Sequence, residues 1–151
     1  MSARQCILLV DDSENDLTLV EAAFRKAGFS TPLKMLRDGE EAIAYLGGDG
    51  CYGNRTQFPL PSAVLLDLKM PKKNGFEVLK WLREQPTLGR IPVIVITASM
   101  RMEDVKRAHE LGAISFLVKP TALEDLTSMM RCMGEWLQYN HLPPHNDTVR
   151  R

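Results

Sequence analysis

Short apolar runs alternate along this chain with longer stretches in which apolar residues recur every three or four positions. Five of the runs have the length of a buried strand, and the second of them is the weakest. The predicted strands are 6–11, 33–37, 63–67, 93–97 and 115–119. Because a helical pattern follows each strand, the chain is expected to form one α/β domain with a doubly wound parallel sheet covered on both faces.

The helical patterns carry recognisable start and stop signals. Ser13 with Asp16 three residues later predicts the first helix start, and Thr121 with Glu124 predicts a capping box for the last. The predicted helices start near residues 14, 38, 74, 102 and 121. Stop signals follow at Gly28, Pro86 and Gly112, and the last helix is expected to run to about Tyr139.

Charged or hydroxyl side chains stand where four of the strands end. Asp11 and Asp12 follow the first strand, Asp67 the third, Thr97 the fourth and Lys119 the fifth. In open α/β sheets, ligands bind outside the carboxyl ends of the strands. These five residues are therefore predicted to converge at one edge of the sheet.

The chemistry of this set fits a divalent cation and a phosphoryl group. Mg²⁺ prefers oxygen ligands, which Asp12 and Asp67 can supply, with Asp11 ligating directly or through a water. A carboxylate can also attack phosphorus, and Asp67 is the candidate nucleophile. Lys119 would neutralise a phosphoryl oxygen, and the Thr97 hydroxyl could donate to another.

Composition narrows the class of protein. The 151 residues include 19 basic and 19 acidic side chains, so no net charge favours nucleic acid binding. No run approaches the roughly 20 apolar residues of a membrane span, and no signal peptide is evident. The three cysteines are widely spaced and suggest thiols in a reducing compartment. A cytoplasmic protein without membrane or direct nucleic acid contact is expected.

Four motifs together resemble response-regulator receiver domains, the phosphoacceptor half of two-component signalling. They are Asp11-Asp12, Asp67-Leu-Lys-Met-Pro71, Thr97-Ala98 and Lys119-Pro120, and the resemblance covers about residues 4–139. It implies a flavodoxin-like sheet of five strands in the order 2-1-3-4-5 with five helices. A receiver domain is then expected over 1–140, with a flexible tail at 141–151.

The resemblance also implies roles for the acidic residues. Asp67 corresponds to the aspartate that becomes phosphorylated. Asp11 and Asp12 correspond to the pair that binds Mg²⁺, and the backbone carbonyl of Lys69 is a further expected ligand. Lys119 corresponds to the lysine that assists phosphotransfer. The protein would catalyse its own phosphotransfer and a slow dephosphorylation without being a conventional enzyme.

Other implied roles concern switching. Thr97 corresponds to the switch hydroxyl and Phe116 to the aromatic ring that turns with it. The family pattern also implies a cis peptide bond between Lys119 and Pro120. The positions expected to tune the phosphoryl lifetime are Lys69 and Ser99.

The expected partner is a sensor histidine kinase. An extended segment, 47–61, resembles a subset of single-domain receivers that partner phytochrome-type kinases, although a tolerated surface insertion explains it equally well. The tail is expected to be too short for an output domain, so a surface of the receiver should carry the signal. The family uses its fourth helix, fifth strand and fifth helix, and Trp136, Leu137 and Tyr139 suggest a homodimer there.

Three other functions are open to such a chain. An intermediate receiver in a multi-step phosphorelay would use the same residues. A haloacid-dehalogenase-type hydrolase also uses a strand-end aspartate, but it carries Asp-x-Asp where this chain has Asp67-Leu68-Lys69. A phosphate-independent interaction module is disfavoured, because such receivers usually lose the acids or the lysine.

Overall fold

Five parallel strands form one sheet in the computed structural model, which describes residues 6–139. The strands are β1 (Ile7–Val10), β2 (Leu33–Leu36), β3 (Ala63–Leu66), β4 (Val93–Thr97) and β5 (Ser115–Val118). Their order is β2-β1-β3-β4-β5, which confirms the order that the family resemblance implies. The predicted tail, 141–151, lies outside the described residues.

Five α-helices connect or follow the strands. They are α1 (Glu14–Lys26), α2 (Gly39–Gly47), α3 (Gly75–Arg83), α4 (Met102–Glu110) and α5 (Leu123–Tyr139). The side chains of Ser13, Asp38 and Asn74 cap the first three, as polar N-cap residues do. Helix α5 begins two residues after the predicted cap Thr121, because Ala122 supplies the first carbonyl, to the Leu126 N–H. None of these helices is long and apolar enough to cross a membrane.

Alternate residues of the buried strands enter two separate cores. Leu8, Val10 and Val64 face the core that also contains residues of α2, α3 and α4. Ile7 and Leu9 face the other, against α1 and α5. Strands buried on both faces explain why the sequence shows continuous apolar runs rather than alternation.

Strand pairing fixes the backbone of the residues that follow the strands. The Asp11 N–H donates to the Leu36 carbonyl (3.0 Å), and the Asp67 N–H donates to the Val10 carbonyl (3.0 Å). The Lys119 N–H donates to the Thr97 carbonyl (2.8 Å). The ladder therefore continues one residue beyond β1, β3 and β5 and holds the three charged residues at one edge, here called the carboxyl edge.

The segment 47–61 is a packed structure. It contains a 3₁₀ turn at Gly50–Gly53, and the rings of Tyr52 and Phe58 pack at 5.0 Å from each other and at 5.0 and 6.0 Å from Tyr45 of α2. Arg55 donates to the carbonyls of Tyr45 (2.8 Å), Leu46 (2.8 Å) and Phe58 (3.2 Å). The guanidinium thus joins the last turn of α2 to the segment 47–61, at the helix end where a positive charge is favourable.

This segment returns to the sheet at the start of β1, far along the strands from the charged residues. The Ser62 N–H donates to the Cys6 carbonyl (2.8 Å), and the Tyr45 hydroxyl donates to the Pro59 carbonyl (2.9 Å). Residues 47–61 and their partners Cys6 and Tyr45 are called the amino edge below.

Candidate metal centre and acceptor site

Three carboxylates converge at the carboxyl edge, which confirms the predicted meeting of distant acids. One oxygen from each of Asp11, Asp12 and Asp67 lies within 4.8 Å of the others. Asp11 and Asp67 are buried, whereas Asp12 is exposed. All the ligand atoms are hard carboxylate oxygens, the donor type that Mg²⁺ prefers, so these residues fit the cation.

Local backbone contacts orient two of the acids. Oδ1 of Asp11 accepts the Ser13 N–H (3.0 Å), and Oδ1 of Asp67 accepts the N–H of Leu68 (2.8 Å). Ser13 also begins α1, because its hydroxyl accepts the Asp16 N–H (3.2 Å). The turn from β1 into α1 therefore sets the direction of the Asp11 carboxylate.

Lys119 reaches this cluster from β5 and binds two carboxylates. Its Nζ donates to Oδ2 of Asp11 (2.8 Å) and to Oδ2 of Asp16 (2.7 Å). Among residues 6–139, these are the carboxylates within ion-pair distance of Lys119, so Asp67 is not directly paired. Burial lowers the pKa of Lys119, but hydrogen bonds with Asp11 and Asp16 outweigh it and raise the pKa above its usual value. The ammonium is charged.

Asp67 is held in an unfavourable environment for a carboxylate. Burial, followed by repulsion from Asp11, raises its pKa to about 6, although Lys119, the Thr97 hydroxyl and the Leu68 N–H act in the opposite direction. Like charges at this distance are costly without a cation among them. The cluster is thus arranged to gain from a bound positive charge.

The loop after Asp67 needs a glycine for a steric reason. A Cβ on Gly75 would lie 2.4 Å from the Asp67 carbonyl oxygen, and the Gly75 N–H donates to the Leu68 carbonyl (2.9 Å). Lys72 turns the loop with a φ of 66° and pairs with Asp38 (3.6 Å), the cap of α2. Close packing of the start of α3 therefore fixes the backbone beneath Asp67.

The predicted switch and tuning residues differ in their exposure and in their contacts. Thr97 is buried at the end of β4, and its hydroxyl accepts the Ser99 N–H (3.4 Å) and acts to lower the pKa of Asp67. Phe116 is half-buried in β5 and packs against the core of α2, α3 and α4. Lys69 is exposed, and the Ser99 hydroxyl donates to Asp104 (2.7 Å) in the first turn of α4.

One expectation is wrong. No peptide bond between residues 6 and 139 is cis, so the bond joining Lys119 to Pro120 is trans. Trans is the preferred isomer before proline by about 0.5–1 kcal/mol. The Lys119 backbone is already placed by its N–H bond to the Thr97 carbonyl, so Lys119 reaches the acids with a trans bond.

Sequence reasoning missed Asp16 as a site residue, because its place three residues after Ser13 indicates a helix cap. Only half of that capping box forms. The Ser13 N–H donates to Asp11 instead of Asp16, so the Asp16 carboxylate is available to Lys119. Its position on the helix turn next to the Asp pair was the available signal.

Comparisons with known proteins agree with this geometry. Residues 7–131 match the response regulator receiver domain. The response regulator Rcp1 of Synechocystis sp. is 41% identical over 91% of this chain and 92% of its own. FilR2 of Methanothrix harundinacea, a probable methanogenesis regulatory protein, is 40% identical over 91% and 86%.

Solved structures extend the match. The Mn²⁺-bound form of Rcp1 has a TM-score of 0.82 and 40% identity, covering 93% of this chain and 99% of that one. The phosphorylated cyanobacterial phytochrome response regulator RcpA has a TM-score of 0.84 and 36% identity, with 94% and 100% covered. With the fold, the acidic cluster and these matches in agreement, the chain belongs to the family of response regulator receiver domains.

Proposed function

We propose that this protein accepts a phosphoryl group on Asp67 from the phosphohistidine of a sensor histidine kinase, in a Mg²⁺-dependent reaction. One observation carries the proposal: the carboxylates of Asp11, Asp12 and Asp67 share one site within 4.8 Å, and Lys119 is bonded to Asp11 beside them. RcpA in its phosphorylated form and Rcp1 with Mn²⁺ support the two halves of the reaction.

The transfer itself exchanges one bond for another. A carboxylate oxygen of Asp67 forms a bond to phosphorus while the N–P bond of phosphohistidine breaks, and the imidazole nitrogen keeps that electron pair. With a pKa of about 6, Asp67 is ionised at neutral pH and can act as the nucleophile. The Leu68 N–H holds one of its oxygens and thereby orients the carboxylate.

Positive charge stabilises the transferred group. Mg²⁺ held by Asp11, Asp12, Asp67 and the backbone carbonyl of Lys69 would offset the charge of the phosphoryl oxygens. Lys119 provides the second positive charge. Its ammonium has three N–H donors, of which two go to Asp11 and Asp16, so one is available to a phosphoryl oxygen. The protein thus catalyses its own phosphotransfer by positioning and charge.

Phosphorylation would then shift a population between two states. The Thr97 hydroxyl, which acts to lower the pKa of Asp67, would donate to the new phosphoryl group. Its movement would leave space for Phe116 to turn inward and change the surface formed by α4, β5 and α5. Slow dephosphorylation would depend on Lys69 and Ser99, which flank the approach of water.

The kinase is proposed to be of the phytochrome type, because RcpA is a phytochrome response regulator and resembles this chain over its full length. The segment 47–61 lies at the amino edge, so a phosphohistidine can approach Asp67 without contacting it. Transfer onward to another histidine, as in a relay, would use the same site and is the alternative. The receiver domain is proposed to span 1–140, and the free cysteines support a cytoplasmic location.

A homodimer is proposed through the α4–β5–α5 surface, which would act without direct nucleic acid contact. Ile114, Val118, Trp136 and Tyr139 are exposed there. A groove of about 380 Å³ runs between β5 and α5 and is lined mainly by apolar side chains. Size-exclusion chromatography with light scattering should show a dimer at micromolar concentration, with or without beryllium fluoride. A monomer in both conditions would contradict the dimer.

Labelling by acetyl phosphate tests the acceptor role. Wild-type protein should gain one hydroxylamine-labile phosphoryl group by intact mass, and chelation of Mg²⁺ should prevent it. Asp67→Asn should lose the label. Asp49→Asn, which removes a carboxylate at the amino edge, should keep it. Undiminished labelling of Asp67→Asn would refute the assignment.

A further inference from the structure

Asp16 lies three residues after the cap of α1, where an acidic side chain usually accepts the N–H of the cap residue. In this helix Asp11 accepts that N–H instead. In α3, the matching residue Glu77 accepts the N–H of its cap Asn74 (2.8 Å) and completes a reciprocal capping box. In α1, the equivalent N–H of Ser13 donates to Asp11, and the Asp16 carboxylate lies 2.7 Å from the Lys119 ammonium. The Asp16 carboxylate therefore bonds Lys119 at the site and does not complete the capping box of α1.

This arrangement matters because each oxygen of the Asp11 carboxylate already accepts one hydrogen bond. Its Oδ1 accepts the Ser13 N–H and its Oδ2 accepts Lys119. A cation among Asp11, Asp12 and Asp67 must therefore share Asp11 with the ammonium. The Lys119 side chain is only 9% exposed, so weakening its bond to Asp11 would leave a buried charge poorly compensated unless a second anion remains.

We propose that Asp16 is a positioning residue that anchors Lys119 and thereby releases Asp11 for the cation. The inference rests on the proposed Mg²⁺ site and adds a residue to it. Asp16 does not need to touch the metal or the phosphoryl group. It acts by giving the ammonium a partner that stays in place when Asp11 is shared, so the cost of cation binding is lower.

A general effect of negative charge is the competing explanation, and the chain offers a matched control. Glu14 lies in the same first turn of α1, but its carboxylate pairs with Arg37 (2.6 Å) at the surface. Glu14→Gln removes the same charge from the same turn without touching Lys119. Asp16→Asn removes the anchor and keeps the shape of the side chain.

Calorimetry with Mg²⁺ alone tests the inference on unphosphorylated protein. Asp16→Asn should weaken Mg²⁺ binding by about three- to tenfold, the effect of one partly exposed ion pair. Glu14→Gln should change it by less than about twofold. In a Lys119→Gln background, adding Asp16→Asn should change the affinity by less than about twofold, because the group it anchors is gone. Equal weakening in both backgrounds, or none in wild type, would overturn the inference.

A spectroscopic signature separates positioning from a structural effect on α1. The hydrogen-bonded ammonium of Lys119 should give a protected side-chain resonance that Lys119→Gln removes. That resonance should shift or broaden in Asp16→Asn and persist in Glu14→Gln, and an unchanged resonance in Asp16→Asn would contradict the anchor. If wild-type protein neither binds Mg²⁺ nor is labelled by acetyl phosphate, the proposed function fails. If wild-type protein does both but Asp16→Asn has no effect on Mg²⁺ binding, only the role of Asp16 fails.

Discussion

The two edges of the sheet treat polar groups in opposite ways. At the amino edge, the Arg55 guanidinium meets three carbonyls, and the buried Tyr45 hydroxyl donates to the Pro59 carbonyl. At the carboxyl edge, Asp11 and Asp67 are buried near each other, and Asp67 has a raised pKa. One edge satisfies its polar groups with the protein alone, whereas the other needs a ligand.

This difference between the edges indicates that the amino edge stabilises the fold, whereas the carboxyl edge carries the site. Fixed hydrogen bonds close the amino edge and stabilise the fold, because a buried carbonyl without a donor is costly. Crowded carboxylates at the carboxyl edge lower stability in the absence of a cation. Substitutions at the first edge should therefore lower the free energy of unfolding with little effect on the site. Removal of a crowded carboxylate at the second should impair ligand binding and, without a cation, raise the free energy of unfolding.

The largest expected effect is at the amino edge. Arg55→Met keeps the aliphatic stem but leaves the carbonyls of Tyr45, Leu46 and Phe58 without their charged donor, so the free energy of unfolding should fall by about 2–4 kcal/mol. Urea denaturation measures this. Arg25→Met, which loses a surface pair with Glu21, should cost less than about 1 kcal/mol. A loss of Mg²⁺ binding by folded Arg55→Met would break the separation of the two edges.

Asp67→Asn should change stability in the opposite direction. Its pKa is raised on folding from 3.8 to about 6, so the folded protein binds the proton more tightly and the ionised group destabilises the fold above that range. Without Mg²⁺, the variant should be more stable than wild type by about 1–3 kcal/mol at pH 7.5. The difference should grow from pH 4 to pH 6 and then stay constant. A variant less stable than wild type at pH 7.5 would contradict this cost.

Mg²⁺ binding should depend on pH in the same window. Protonation of Asp67 competes with the cation below its pKa of about 6, so affinity should be about tenfold weaker at pH 5 than at pH 7.5. The stabilisation by saturating Mg²⁺ should shrink correspondingly, by about 1.4 kcal/mol at a fixed concentration. Thermal unfolding with Mg²⁺ or chelator at both pH values measures this. Equal stabilisation at the two pH values would count against Asp67 as a ligand.

The smallest effect is expected from a single hydroxyl at the amino edge. Tyr45→Phe leaves the Pro59 carbonyl with only the weak Cys6 thiol donor (3.6 Å) and should reduce the free energy of unfolding by about 1 kcal/mol. Tyr52→Phe, whose hydroxyl is 3.3 Å from the partly exposed Glu41, should cost less and serves as the comparison. If Tyr45→Phe is neutral, hydrogen bonding at this edge contributes less than packing of the aromatic rings.

Much of the fold could be predicted because its signals are local. The apolar run at 93–97 is the observed β4, and Ser13, Asp38 and Asn74 cap the helices that follow them. The strand order came from the family resemblance. Parallel pairing then made the carboxyl edge predictable, since residues one position beyond each strand must meet there.

Contacts that depend on distant side chains could not be predicted in the same way. Asp16 and Lys119 are 103 residues apart, and no periodicity connects them. The sequence of 47–61 left open a surface insertion or a feature shared with receivers that partner phytochrome-type kinases. Its packing around Tyr45 depends on contacts of Arg55 with the end of α2 that no local pattern indicates. The wrong expectation of a cis bond at Pro120 came from the family pattern alone.

The sequence by itself determined the order of strands and helices along the chain and the charged residues at the strand ends. Buried strands and helices each require apolar residues at a characteristic spacing, and that spacing is visible among neighbouring residues. Only the tertiary structure decided which anions hold Lys119, how far burial raises the pKa of Asp67, and that the amino edge is closed by Arg55. These properties depend on distances and solvent exclusion between remote parts of the chain, which exist only once the two cores have packed.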